Sequence, residues 1–136
     1  CRHRRCLIPA TGFYEWTKSP AGDRLPWYIR PASGQPVVFA GVWQNWTGPD
    51  GAHPTCAIVT TAANRAMGQI HHRMPVVLNP DDWAKWLGED GHGAATLMTA
   101  CAEDLLTFHR VAPAVNSNRA AGPDLIEPFE EPDEKS

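Results

Sequence analysis

The chain has few cysteines, no long apolar run and almost no stretch free of helix breakers. Nothing in it approaches the roughly 18 consecutive apolar residues that span a bilayer as a helix, and its start, Cys1-Arg2-His3-Arg4-Arg5, lacks the apolar core of a secretion signal. Four cysteines in 136 residues are too few for a disulfide scaffold, so free thiols are expected. Cys56 and Cys101 have no partners at zinc spacing, and Cys1, His3 and Cys6 are too close together for a finger. No metal is expected. The absence of a phosphate-cradling glycine loop or dinucleotide fingerprint argues against a nucleotide cofactor, and none is expected. The composition is that of an ordinary intracellular domain, so a soluble cytoplasmic protein with no membrane association is expected.

With 13 prolines and 11 glycines, long helices are excluded from most of the first half. Turn-forming Ser19–Asp23, Ala32–Gly34 and Gly48–Gly51 separate segments with strand character near Arg5–Ile8, Gly12–Thr17, Pro26–Arg30, Val37–Trp46 and Thr55–Thr61. Read in order, these suggest a meander. Ala62–Gly68 and the region around Gly93–Thr99 read as short helices. Pro80-Asp81-Asp82 is a favourable start for a helix reaching Leu87, because proline suits the first turn and aspartates favour its positive end. Strands at Met74–Leu78 and Leu106–Val111 complete an α+β fold, mainly antiparallel, with a strongly bent or barrel-like sheet. At 43% hydrophobic, 136 residues can bury one core, which predicts a single domain over residues 1–128 and a loose acidic tail over 129–136.

The net charge of −3 conceals an uneven distribution. Residues 1–30 carry Arg2, Arg4, Arg5, Lys18, Arg24 and Arg30 against Glu15 and Asp23, whereas five acids follow from Glu127 onward against Lys135. Without that tail the body has 11 basic and 10 acidic residues, so its basic front end can meet phosphates locally or simply be a solvated face.

Two strings carry candidate chemistry. In Gly12-Phe13-Tyr14-Glu15-Trp16, strand alternation puts Phe13 and Glu15 on one face and Tyr14 and Trp16 on the other. A carboxylate beside Phe13 is partly desolvated, the condition under which it can both give and take protons; alternatively, Glu15 is held in a structural ion pair by Arg4, Arg5 or Arg24. In Ile70-His71-His72-Arg73-Met74-Pro75 the adjacent histidines lie on an extended segment, so one faces inward and the two do not form a joint metal site. His71 is either a proton-transfer group or a core histidine bonded to a backbone carbonyl. Arg73 can clamp a phosphate through its planar fork, or hold a loop carbonyl or carboxylate. Trp27, Trp43 and Trp46 alternate with apolar residues and read as core or sheet-surface packing in preference to base-stacking platforms, and Trp83 and Trp86 share one packing face of a helix.

Three segments in order resemble one family. Arg5-Cys6-Leu7-Ile8-Pro9-Ala10-Thr11-Gly12-Phe13-Tyr14-Glu15-Trp16 is similar to the first signature of the SRAP (SOS response-associated peptidase) family. Ile58–Asn64 with Ile70–Leu78 is similar to its second, and Val115-Asn116-Ser117 with Leu125-Ile126-Glu127-Pro128 to its closing segment. The resemblance implies a DNA-damage response protein that binds single-stranded DNA and becomes covalently attached at abasic sites. The attacking group is an N-terminal cysteine, whose α-amine and thiol condense with the opened sugar aldehyde into a thiazolidine. By the same resemblance, Glu15 assists sugar opening and proton transfer at the amine, and His71 relays protons during imine formation and reversal. Trp16 supplies stacking surface, Arg73 a phosphate contact and Thr60 a backbone contact.

The chain departs from the pattern at the nucleophile. The family's Cys-Gly-Arg start and a later Asn-Ala-Arg segment normally precede the Arg-Cys-Leu-Ile-Pro-Ala string and are not found here. Cys1 is followed by Arg2-His3 and lies five residues before Cys6, so it reads as an interior residue of a truncated member and Cys6 as a packing residue. Loss of a leading portion is expected to expose sheet edges and apolar surface. The family name also suggests a peptidase or self-processing hydrolase, and the aromatic and basic residues suggest a non-catalytic single-strand binder.

Overall fold

The computed structural model describes residues 4–116 and 122–129. Among the described residues nine strands dominate: β1 (Arg5–Ala10), β2 (Phe13–Lys18), β3 (Arg24–Pro31), β4 (Val37–Gly48), β5 (Gly51–Ile58), β6 (Thr60–Ala62), β7 (Arg73–Pro75), β8 (Val77–Leu78) and β9 (Leu106–Arg110). One short helix, α1 (Trp83–Leu87), follows a 3-10 turn at Pro80–Asp82, with proline and two aspartates in its first turn. All strand pairs are antiparallel. One sheet runs β1-β4-β5 with β8 also on β4, a second runs β2-β3-β9, and β6 pairs with β7. The class is therefore α+β with bent sheets that do not close into a barrel.

The meander expectation fails at its first step. β1 pairs with β4, Arg5 opposite Val42 through Ala10 opposite Val37, and not with its chain neighbour β2. The chain crosses between sheets at Thr11-Gly12, and the hairpins β2-β3 and β4-β5 fall in different sheets. Gly12 is dictated by that crossing, because a Cβ there would lie 2.4 Å from the Tyr28 ring and hydroxyl. The predicted strand Thr55–Thr61 breaks at Val59, and Met74–Leu78 breaks at Val76. Val76 donates to the Val59 carbonyl while its own carbonyl accepts from Ala40, so both breaks serve one junction between β4, β6 and β7. The expected helix at Ala62–Gly68 reduces to a single 3-10 turn, Met67–Gln69. Helix Gly93–Thr99 is likewise one 3-10 turn, Ala94–Leu97. At the start of the expected tail, the Phe129 amide donates to the Arg110 carbonyl; residues 130–136 lie outside the described residues.

Two apolar clusters hold these layers. Ile29, Met67, Ile70, Met74 and Leu106 form one, with Phe13, Trp27, Ala63, Cys101 and Phe108 packed against it. Ala40, Val76, Leu78 and Trp86 form the other, under Leu7, Val42, Trp83 and Leu87. Phe13 meets Phe39 edge-on at 5.7 Å and so joins the two sheets. Trp83 and Trp86 share the packing face expected of their spacing, and the Trp86 indole donates to the carbonyls of Cys6 and Gly41. No helix among the described residues is long and apolar enough to cross a membrane.

Candidate functional site

Glu15 and Trp16 leave opposite faces of β2, an edge strand of its sheet. On one face, Phe13, Ile29 and Phe108 form a row across β2-β3-β9, and Glu15, Trp27 and Arg110 form the next. The first row packs into the Ile29–Met74 cluster, and Trp27 joins it from the second, so half-buried Glu15 stands at the margin of that cluster. The three arginines named for an ion pair each lie against an indole. Arg4 lies 5.6 Å from the Trp43 ring, Arg5 5.7 Å from Trp86 and Arg24 4.8 Å from Trp16.

The opposite face carries the aromatic row Tyr14, Tyr28 and His109, with ring centroids 5.4 and 5.8 Å apart. Burial pushes the Tyr14 hydroxyl above its ordinary value. Trp16 sits beside Tyr14, with Arg24 over its ring and its indole N–H donating to the Asn116 side chain. The indole is thereby fixed in orientation and positively flanked.

His71 lies two residues before β7, between buried Ile70 and buried Met74. The Arg73 amide donates to His71 Nδ1 at 3.0 Å, and the Arg73 carbonyl lies 3.2 Å from the same nitrogen. Which contact is a hydrogen bond depends on the tautomer: an unprotonated Nδ1 accepts from the amide, and a protonated Nδ1 donates to the carbonyl and leaves Nε2 free of that proton. Either way the Arg73 backbone engages Nδ1 and orients the ring. His71 is half-buried and His72 exposed, yet their rings stack at 4.5 Å. The Arg73 side chain folds back onto β6, where Nη2 donates to the Thr60 carbonyl at 2.8 Å and the fork also reaches Thr60 Oγ1.

The loop bearing His71 is anchored by residues whose importance the sequence did not reveal. The Glu103 carboxylate accepts from the Arg65 and Ala66 amides, both at 2.8 Å, and these bonds hold it below the usual carboxylate range. Asn64 Oδ1 accepts from the Met67 amide, its side-chain amide donates to the Cys101 carbonyl, and its own backbone N–H points at Met74 Sδ. Burial pushes the Cys101 thiol up, as expected of a packing cysteine.

Of the five residues singled out, the structure brings Thr60, His71 and Arg73 together around the β6-β7 ladder. Glu15 and Trp16 share an edge strand, on opposite faces. Among the described residues no hydrogen bond links Glu15 to His71; what they share is the cluster that Phe13 and Trp27 cover from one side and Ile70 and Met74 from the other. Asn116, which orients Trp16, lies within the closing string, whereas Glu103 acts from 37 residues away and no local pattern marks it. Trp27 packs as expected, but Trp43 and Trp46 are 36% and 52% exposed. Cys1 lies outside the described residues.

Comparison with known proteins gives this geometry a context. The model of the family described as SOS response associated peptidase (SRAP) matches residues 1–118. The abasic site processing protein YoqW of Bacillus subtilis is 36% identical over 129 residues, covering 91% of this chain and 57% of its own. HMCES of Gallus gallus, also named an abasic site processing protein, is 32% identical over 150 residues, covering 93% and 44%. A crystal structure of a protein from Bacteroides thetaiotaomicron superposes with a TM-score of 0.82 at 25% identity, covering 95% of this chain and 58% of the other. The chain spans about half the length of the curated relatives it matches. The signature strings, the fold and the family match agree: this chain belongs to the SOS response associated peptidase (SRAP) family.

Proposed function

We propose that this chain contributes to the processing of abasic sites in single-stranded DNA, with Glu15 and His71 as its proton-transfer groups and Trp16, Thr60 and Arg73 as DNA contacts. The observation that carries the reading is the setting of His71 in a chain whose relatives are named abasic site processing proteins. Its Nδ1 is engaged by the Arg73 backbone, and with Nδ1–H donating to the Arg73 carbonyl Nε2 is left to take and give a proton, on a loop packed against the cluster that the Glu15 face of β2 covers.

The chemistry needs two kinds of group. A 1,2-aminothiol supplies the nucleophile: the amine adds to the sugar aldehyde, water leaves to give an imine, and the thiol closes the ring on the imine carbon. Opening the sugar, losing water and reversing the imine each move a proton at near-neutral pH, the task a carboxylate and an imidazole perform. Backbone phosphates would meet the Arg73 fork, and a base beside the lesion would meet the free face of Trp16.

The test uses single-stranded DNA carrying one abasic site, with crosslinks read on a denaturing gel and by mass. The chain is assayed alone and together with the part of B. subtilis YoqW that lies outside the matched region. We expect crosslinking only with the added part, slowed by about 100-fold or more in Glu15→Gln and in His71→Asn. Crosslinking by both variants at the unaltered rate would remove the proton-transfer roles. Equal binding to intact and abasic strands with no covalent product would leave a non-catalytic binder, and turnover of unrelated peptides would favour the hydrolase reading.

A further inference from the structure

At the end of α1, Arg5 and a glycine-bearing loop build a cleft that the roles proposed above leave unused. Arg5 leaves β1 opposite Val42, on the face that α1 covers. Its Nε donates to the Trp86 carbonyl, 81 residues away along the chain, and its guanidinium lies 5.7 Å from the Trp86 ring. The plane of the fork is thereby held, while among the described residues neither Nη group has an acceptor. α1 stops at Gly88, whose φ of +82° glycine alone adopts freely and whose added Cβ would lie 3.0 Å from Arg5 Nη2. The chain turns again at Gly91, with a φ of +69°. The Glu89 and Asp90 amides return to the Ala84 carbonyl and the Thr96 amide bonds the Gly93 carbonyl. Between them, the amides of Gly91 and His92 have no acceptor among the described residues.

These groups border a cleft of about 580 Å³ lined by Arg5, Gly88, Gly91, His92 and Gly93, a size within the range of small-ligand sites. A second cleft of about 220 Å³ adjoins it: Arg5, Ala94 and Ala95 line both, and its other walls are Val42, Val59, Trp86 and Met98. The Lys85 stem passes 3.8 Å from where a Gly93 Cβ would lie, bringing further positive charge, whereas Glu89 and Asp90 are outside the lining. A fixed guanidinium on one wall and unpaired amides on another offer more donors than the two oxygens of a carboxylate use; they match the three terminal oxygens of a phosphate monoester. The apolar walls beyond Arg5 match a flat or apolar body attached to that phosphate. We infer that this cleft binds a phosphate monoester with an apolar or aromatic body, as in a nucleoside monophosphate or the phosphorylated end of a DNA strand. The site uses none of the residues proposed for proton transfer or DNA contact and is independent of those roles.

The test follows the purified chain by NMR as inorganic phosphate, thymidine monophosphate, or a single-stranded oligonucleotide with or without a terminal phosphate is added at constant ionic strength. Saturable shifts of the Gly91 and His92 amides and of Arg5 Nε are expected with phosphate. The nucleotide is expected to bind about tenfold more tightly and to shift the Met98 methyl and the Trp86 indole as well. An added Cβ at Gly91 meets nothing within 4 Å, and Asp and Asn both tolerate its backbone conformation. Gly91→Asp therefore places a like charge at the cleft and leaves Arg5 untouched, weakening binding by about tenfold, whereas Gly91→Asn stays within about twofold of the parent. Circular dichroism reports whether each variant remains folded. A response to the nucleotide but not to the phosphorylated strand would support a free ligand, and the reverse would support a strand end. No saturation with any phosphate monoester, the same shifts with sodium chloride, or full affinity in Gly91→Asp would overturn the inference. Acetate saturating the site as well as phosphate does would overturn the choice of phosphate over a carboxylate.

Discussion

Met74 couples the core to the loop that bears His71, and substitutions there separate two contributions. Its side chain is 1% exposed within the Ile29, Met67, Ile70 and Leu106 cluster, and its sulfur lies 3.3 Å from the Asn64 amide. Met74→Ala removes buried methylenes and leaves a cavity, costing about 2–5 kcal/mol. Against a typical stability of about 5–15 kcal/mol that is a large fraction of the total. Met74→Leu keeps the volume, a change that alone costs under about 1.5 kcal/mol, but it removes the acceptor facing the Asn64 N–H. An orphaned amide costs about 1–3 kcal/mol when fully buried; here Asn64 is half-buried and sulfur a weak acceptor, so about 1 kcal/mol is expected from the lost contact. Urea melts followed by tryptophan fluorescence give both values, and amide exchange over residues 60–75 shows whether the loop loosens. An alanine variant losing less than about 1 kcal/mol would refute the packing argument. A leucine variant indistinguishable from the parent in both stability and exchange would refute the role given to the sulfur.

Two further outcomes follow from the same packing. Because its two amide partners hold the Glu103 carboxyl low, its contribution to stability is present above the ordinary carboxylate value of 4.5 and is lost as pH falls through the lower folded-state value. Acid titration should therefore show the stability gap between the parent and Glu103→Gln closing below that value; a gap constant down to strong acid would contradict the assignment. Gly12→Ala should destabilise by about 1–3 kcal/mol, since its Cβ must displace the Tyr28 ring, and thermal melts within about 0.5 kcal/mol of the parent would show that the ring yields freely.

Much of the site was legible because the relevant order is local. Alternation along Phe13-Tyr14-Glu15-Trp16 assigned the two faces of β2, and the structure keeps them, with Phe13 in the core and Trp16 beside Tyr14. Pro80-Asp81-Asp82 marked the start of the turn leading into α1. The three signature strings, taken together, identified the family. What sequence could not settle was pairing across distance. β1 joins β4 across more than 25 intervening residues because Leu7 and Ala40 share the apolar cluster under α1, a preference invisible in either segment alone. Val59 and Val76 look like interior strand residues, yet their backbones bond to each other and to Ala40, which breaks both strands. Trp43 and Trp46 read as packing from their alternation, but alternation states which side a residue faces and not whether anything covers that side. Residue types and their local spacing thus determined most of the strands, the faces of β2 and the family. Only the tertiary structure decided the sheet partners, the Glu103 carboxylate that anchors the His71 loop and the exposed face of β4 and β5, because each depends on groups brought together from distant parts of the chain.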